Sequence, residues 1–163
     1  MMGDVETVYA ESMTRLVDIE AEDTGAVILR FTNGAMGIIE ATTATRPTDL
    51  EGSLSILGEK GSVEIGGFAV NEMKVWNFVD KREDDVEVLE KYRQNPPNVY
   101  GFGHTEYLKN VVDSIAGGKR ALVEGLEGRK SLEIVLAIYE SIETGKKVNI
   151  NFMPKLCRLG RSL

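Results

Sequence analysis

The chain has 163 residues, with 19 Lys and Arg against 26 Asp and Glu for a formal net charge of −7. That length suits a single domain with its own core, and the acidic balance repels phosphate backbones and anionic lipid, which argues against nucleic-acid and membrane partners. One cysteine, Cys157, and one histidine, His104, exclude an internal disulfide framework, a multi-cysteine zinc site and His-pair metal motifs.

In chain order, strands come first. Met1-Met2-Gly3-Asp4-Val5-Glu6 lacks the basic and apolar segments of a secretory signal, and with a single cysteine this predicts a cytoplasmic setting. Thr7 to Val17, mixed β-branched and polar, predicts a first strand. Ala26 to Phe31 leads into Asn33-Gly34 and then Ala35 to Ala41. Asn-Gly between two apolar runs predicts a hairpin closed by a type I′ turn, in which both central residues take positive φ. Ser53 to Leu57, the turn Gly58-Glu59-Lys60-Gly61, and Ser62 to Ile65 predict a second hairpin. There Val63 and Ile65 alternate with Ser62 and Glu64, the period of a sheet with one wet face. Met73 to Val79 adds a further apolar run containing Trp76, which is expected in the core or at an interface.

Helical spacing follows. Lys81 to Arg93 is charge-rich and reads as a short exposed helix or a loop, its paired carboxylates Asp84-Asp85 and Glu87-Glu90 a solvated face. Asn95-Pro96-Pro97-Asn98 breaks any helix there. Tyr107, Leu108, Val111, Val112 and Ile115 share one face of a helix that Gly117-Gly118 ends. A longer helix from about Gly125 carries Leu132, Val135, Leu136, Ile138, Tyr139 and Ile142 and stops at Gly145. Val148 to Asn151 returns as a short strand. The expected architecture is α+β: an open, mostly antiparallel β-sheet with about two helices packed on one face, over residues 1–152. Residues 153–163 form a basic, unpatterned tail.

Few residues carry chemistry. Gly101-Phe102-Gly103-His104-Thr105-Glu106 begins like a phosphate-binding G-x-G-x-x-G loop and opens a helix. Against that, Glu106 stands where the third glycine belongs, and a proline loop precedes the segment where a buried strand should. The segment still gathers the lone His104 with Tyr100 and Phe102 beside two glycines that permit close approach to a ligand. It reads equally as a loop whose glycines serve turns and whose histidine caps the helix. Thr42-Thr43-Ala44-Thr45-Arg46-Pro47 places an Arg fork beside hydroxyls, suited to a carboxylate or phosphate, or else a strand end with a solvated Arg. Nothing forms a triad or a metal cluster.

Several stretches in order resemble one family: Glu22-Asp23-Thr24-Gly25-Ala26-Val27; the Asn33-Gly34 and Gly58-Glu59-Lys60-Gly61-Ser62 hairpins; Leu122-Val123-Glu124-Gly125; and Gly128-Arg129-Lys130-Ser131-Leu132-Glu133 through to Thr144-Gly145-Lys146. They are similar to the C-terminal domain of the glucose–fructose oxidoreductase / inositol dehydrogenase / MocA family, up to about Phe152. Asp49-Leu50-Glu51-Gly52-Ser53 and Asn95 through His104 resemble the branch that oxidises UDP-N-acetylglucosaminuronate at C3 with NAD. Family members are about twice as long, and the resemblance implies that the Gly-rich cofactor loop and a catalytic Lys in Glu-Lys-Pro belong to a Rossmann domain this chain lacks. It implies no catalytic or cofactor-binding residue here and NAD(P) for the full-length protein. It implies His104, Tyr100, Asn98 and Arg46 as substrate contacts, and a homo-oligomer formed through the open sheet face.

Two readings follow. One is the substrate-binding and oligomerisation domain of an NAD(P)-dependent sugar or nucleotide-sugar dehydrogenase, inactive alone. The other is a free-standing ligand-binding or dimerisation module, with which Met1-Met2 is compatible.

Overall fold

The two hairpin signals both close hairpins, but in different sheets. The computed structural model describes residues 2–93, 96 and 101–150. In chain order the elements are β1 (Val5–Met13), β2 (Thr24–Phe31), β3 (Met36–Thr42), β4 (Leu54–Gly58), β5 (Gly61–Gly66), β6 (Glu72–Phe78), α1 (Asp85–Lys91), α2 (Gly103–Gly117), α3 (Gly125–Thr144) and β7 (Val148–Asn149). They fall into two units, Met1–Arg46 with the stretch from Val123 onward, and Pro47–Leu122. The α+β class holds. The strands divide into a four-stranded sheet, β3-β2-β1-β7, and a three-stranded sheet, β4-β5-β6, each antiparallel throughout.

In the first unit the β2–β3 turn is longer than the type I′ turn predicted from Asn33-Gly34. Gly34 N–H donates to Phe31 O and Phe31 N–H to Ala35 O, both at 2.9 Å. Gly34 alone takes positive φ, at 89°. Asn33 instead accepts the Ala35 N–H through Oδ1 at 3.0 Å, so its side chain closes the loop that its backbone was expected to reverse.

Register then sorts the residues onto two faces. Val8 lies opposite Leu29 and Ala10 opposite Val27. These four and Ala137 of α3 form the buried core, with Ile134, Ile138 and Ile142 packed around it. Each fully buried Val or Leu contributes on the order of 1.5–3 kcal/mol. The line of α3 nearest the sheet is Glu133, Ala137 and Ser141, all buried, at i, i+4 and i+8. Small residues at two of these positions let the helix approach β1 closely, and the larger apolar residues expected to face the core flank the line. On the opposite face Tyr9, Ile28 and Ile38 form a cross-strand row, exposed at 37, 49 and 74 %.

In the second unit Gly58 pairs with Gly61 across Glu59-Lys60. A Cβ at Gly61 would meet Asn77 O at 2.5 Å, so the approach of β6 requires glycine there. The period-2 alternation in β5 does not separate wet from dry, because Gly61 to Ile65 are all half-buried and a register shift falls between Glu64 and Ile65. Trp76 is half-buried and meets Phe78 edge-on at 5.0 Å. Its indole Nε1 donates to Asp85 Oδ1 at 2.9 Å, and Asp85 Oδ2 accepts the Arg82 N–H at 2.8 Å. Asp85 therefore anchors α1 to Trp76 and is not simply a solvated charge. α2 ends at Gly118 with φ 60°, as the glycine pair predicts. Its apolar residues Tyr107, Leu108, Val112 and Ile115 are exposed at between 47 and 78 %. The tail from 153 onward lies outside the described residues.

Candidate functional site

Gly101 takes a left-handed φ of 67°, a conformation that costs a residue with a Cβ about 1–2 kcal/mol. Phe102 follows as the residue preceding α2, and no side chain caps the helix. His104 and Thr105 thus stand in a first turn whose N–H groups are not taken by a cap, with Glu106 supplying the favourable negative charge. The reading of His104 as a helix cap is corrected: it lies inside the helix, exposed. Tyr100 and Asn98 fall outside the described residues.

Arg46 closes the first unit. It is exposed, and its Nη1 donates to Thr45 O at 2.7 Å. The hydroxyl run before it is structural. Thr42 Oγ1 donates to Asp23 O at 2.9 Å and accepts the Ala44 N–H at 3.0 Å, tying the end of β3 to the start of β2. Arg46 and His104 belong to different units, and each is a separate candidate contact.

A dinucleotide has no fitting cradle among the described residues. Every described strand pair is antiparallel, and Glu106 brings a carboxylate to the first turn of α2, where a pyrophosphate would sit. No group of three or more His, Cys, Asp or Glu among the described residues is placed to hold a metal ion. No described helix is long and apolar enough to cross a membrane.

The first unit also holds buried acids outside the candidate contacts. Asp23 is 2 % exposed, and its Oδ2 accepts the backbone N–H groups of Arg15, Leu16 and Val17 at 2.7, 2.6 and 3.0 Å. These three bonds, that from Leu16 foremost, lower its carboxyl from 3.8 to about 2, so it is ionised at neutral pH. The neighbouring Glu22 accepts the Tyr139 hydroxyl through Oε1 at 2.9 Å. Both acids line a cavity of about 330 Å³ between the sheet and α3. A second cavity of about 310 Å³ has Glu133 in its wall, whose carboxyl burial pushes up and Arg129 partly restores. In the sequence Asp23 stands directly before β2, in the Glu22-Asp23-Thr24-Gly25-Ala26-Val27 stretch that resembles the family, with nothing in the spacing to mark its buried role.

Residues 1–150 match a family described as the oxidoreductase family, C-terminal alpha/beta domain. The WlbA dehydrogenase from Bordetella pertussis, solved in complex with NADH and UDP-GlcNAcA, is 43 % identical with a TM-score of 0.81, over 91 % of this chain and 43 % of that one. The WlbA dehydrogenase from Chromobacterium violaceum, solved with the same two molecules, is 41 % identical with a TM-score of 0.80, over 92 % and 41 %. Myo-inositol 2-dehydrogenase of Thermotoga maritima is 26 % identical over 162 residues, 92 % of this chain and 44 % of that protein. The chain thus spans less than half the length of these relatives. It belongs to the glucose–fructose oxidoreductase / inositol dehydrogenase / MocA oxidoreductase family and corresponds to the C-terminal α/β domain of its members.

Proposed function

We propose that this chain is the substrate-binding and oligomerisation domain of an NAD(P)-dependent dehydrogenase acting on a nucleotide sugar of the UDP-N-acetylglucosaminuronate type. The similarity of 41–43 % over more than nine-tenths of the chain to two dehydrogenases solved with NADH and UDP-GlcNAcA carries this reading. The cofactor belongs to a dinucleotide-binding domain outside this chain, in keeping with the lack of a fitting cradle among the described residues. His104 and Tyr100 supply hydrogen bonds to sugar hydroxyls, Asn98 a further polar contact, and Arg46 a fork for a carboxylate or phosphate. None of the four is catalytic.

The open face of the four-stranded sheet serves self-association in this reading. Its row of Tyr9, Ile28 and Ile38, continued by Met36 opposite Arg30, is the kind of apolar surface that soluble proteins cover.

Calorimetric titration of the chain with UDP-N-acetylglucosaminuronate tests the site. Saturable binding is expected, weakened about tenfold by His104→Ala or Arg46→Ala, the loss of about one hydrogen bond's contribution. Adding NAD is expected to give no NADH absorbance, and turnover by the chain alone would overturn the proposal.

A further inference from the structure

The open face of the four-stranded sheet carries three successive cross-strand rows, and their order is polar. In the middle row Tyr9, Ile28 and Ile38 lie side by side on β1, β2 and β3. Two residues further along β2 stands Arg30, between Thr7 and Met36. Two residues the other way the row is Glu11, Ala26 and Glu40, an acid on each side of a small residue. Arg30, Glu11 and Glu40 are exposed, and none of them enters an ion pair among the described residues. The face is therefore basic at one end, acidic at the other and apolar between.

We infer, resting on the reading of this face as a self-association surface, that two copies stack sheet to sheet about a two-fold axis running along the Tyr9-Ile28-Ile38 row. Arg30 of each copy then sits over Ala26 of the other, between its Glu11 and Glu40. A contact made by the same patch on both copies must be self-complementary. A two-fold parallel to the strands would set Arg30 level with Arg30 and the acids level with the acids, like against like. An axis along the apolar row exchanges the two ends while each strand stays over its counterpart. Arg30 and Ala26 each lie two residues, about 7 Å, from Ile28 on β2, so the exchange brings one over the other. Neighbouring strands are about 4.8 Å apart and stacked sheets about 10 Å, which puts both acids within reach of a guanidinium fork lying over the alanine. Glu11 accepts the Tyr9 hydroxyl through Oε1 at 2.6 Å, which ties it to this face and leaves its second oxygen for the arginine.

The test is sedimentation equilibrium of the full chain with two charge-reversed variants, Arg30→Glu and the double substitution Glu11→Lys with Glu40→Lys. Each variant alone is expected to weaken the dimer on the order of a hundredfold, about tenfold at each of the two symmetric contacts. Mixed in equal amounts, the two are expected to pair with each other at near wild-type affinity. In that mixed pair one contact is native and the other has both signs exchanged. Far-UV circular dichroism identical to wild type shows that a variant is folded. Where a reversal does not fold, Arg30→Met, which keeps much of the stem without the charge, is expected to weaken the dimer at least about tenfold. Folded variants that stay dimeric, or that do not recover on mixing, would overturn this pairing and leave the face's self-association standing. A monomeric wild-type chain would instead remove the self-association reading, and this inference with it.

Discussion

The backbone N–H of Ala10, in the middle of β1, donates to the Ser141 hydroxyl on α3 at 2.9 Å. It needs this partner because β7 pairs with β1 only at Thr7 and Val8, so the strand beside Ala10 has already ended. Ser141 is 0 % exposed and passes its own proton to Lys146 O at 2.7 Å, so one hydroxyl joins sheet, helix and the turn after the helix. Ser141→Ala leaves a buried donor and a buried acceptor unsatisfied and should cost about 1–3 kcal/mol. Hydrogen exchange at the Ala10 amide checks this, with protection falling more there than at Val27 on the neighbouring strand.

Asp23 makes the first unit sensitive to acid. Its carboxyl is lowered from 3.8 to about 2 by the three loop N–H groups. A depressed folded value means that its contribution is present above the unfolded value and is lost as pH falls from about 4 toward 2. The melting temperature of the chain should drop through that window. Asp23→Asn should melt lower at neutral pH and show a flatter profile below pH 4. An unchanged acid limb in the variant would refute the assignment.

Glu133 works in the opposite direction. Burial raises its carboxyl above the ordinary 4.5. A raised folded value gives a contribution that is complete below the unfolded value and is lost as pH rises through the folded one. Glu133→Gln keeps the shape without the charge and should raise the melting temperature by a few degrees at neutral pH, with little change in acid. Thermal melts of both proteins at two pH values measure it.

The hairpins, the helix ends at Gly118 and Gly145, and the α+β class were legible because they rest on local rules: turn residues, apolar period and left-handed glycines. What was not legible is long-range. Nothing in the spacing of Val63 and Ile65 tells that β4, β5 and β6 form a sheet separate from the first hairpin's. The α3 pattern points to its large residues, whereas close approach to β1 selects Ala137 and Ser141 and takes Glu133 with them. Asp23 looked like one acid in an acidic loop, and its role appears only when three N–H groups converge on it. Of the candidate contacts the sequence singled out, His104 and Arg46 are exposed, and Tyr100 and Asn98 lie outside the described residues.

Self-association depends on the open sheet face in the proposed reading. Ile28 and Ile38 lie opposite each other there, 49 and 74 % exposed. Ile38→Arg should shift the sedimentation mass at tens of micromolar from a dimer or tetramer to a single chain without lowering the melting temperature. A wild-type chain that sediments as a monomer would remove this part of the proposal.

The most direct test of the central claim is a chimera. The C-terminal part of the Chromobacterium violaceum WlbA dehydrogenase is replaced by this chain, and NADH formation is followed at increasing UDP-N-acetylglucosaminuronate. Sugar-dependent NADH formation that falls when His104→Ala is introduced is expected. A chimera that folds and binds NADH but shows no sugar-dependent reduction would contradict it.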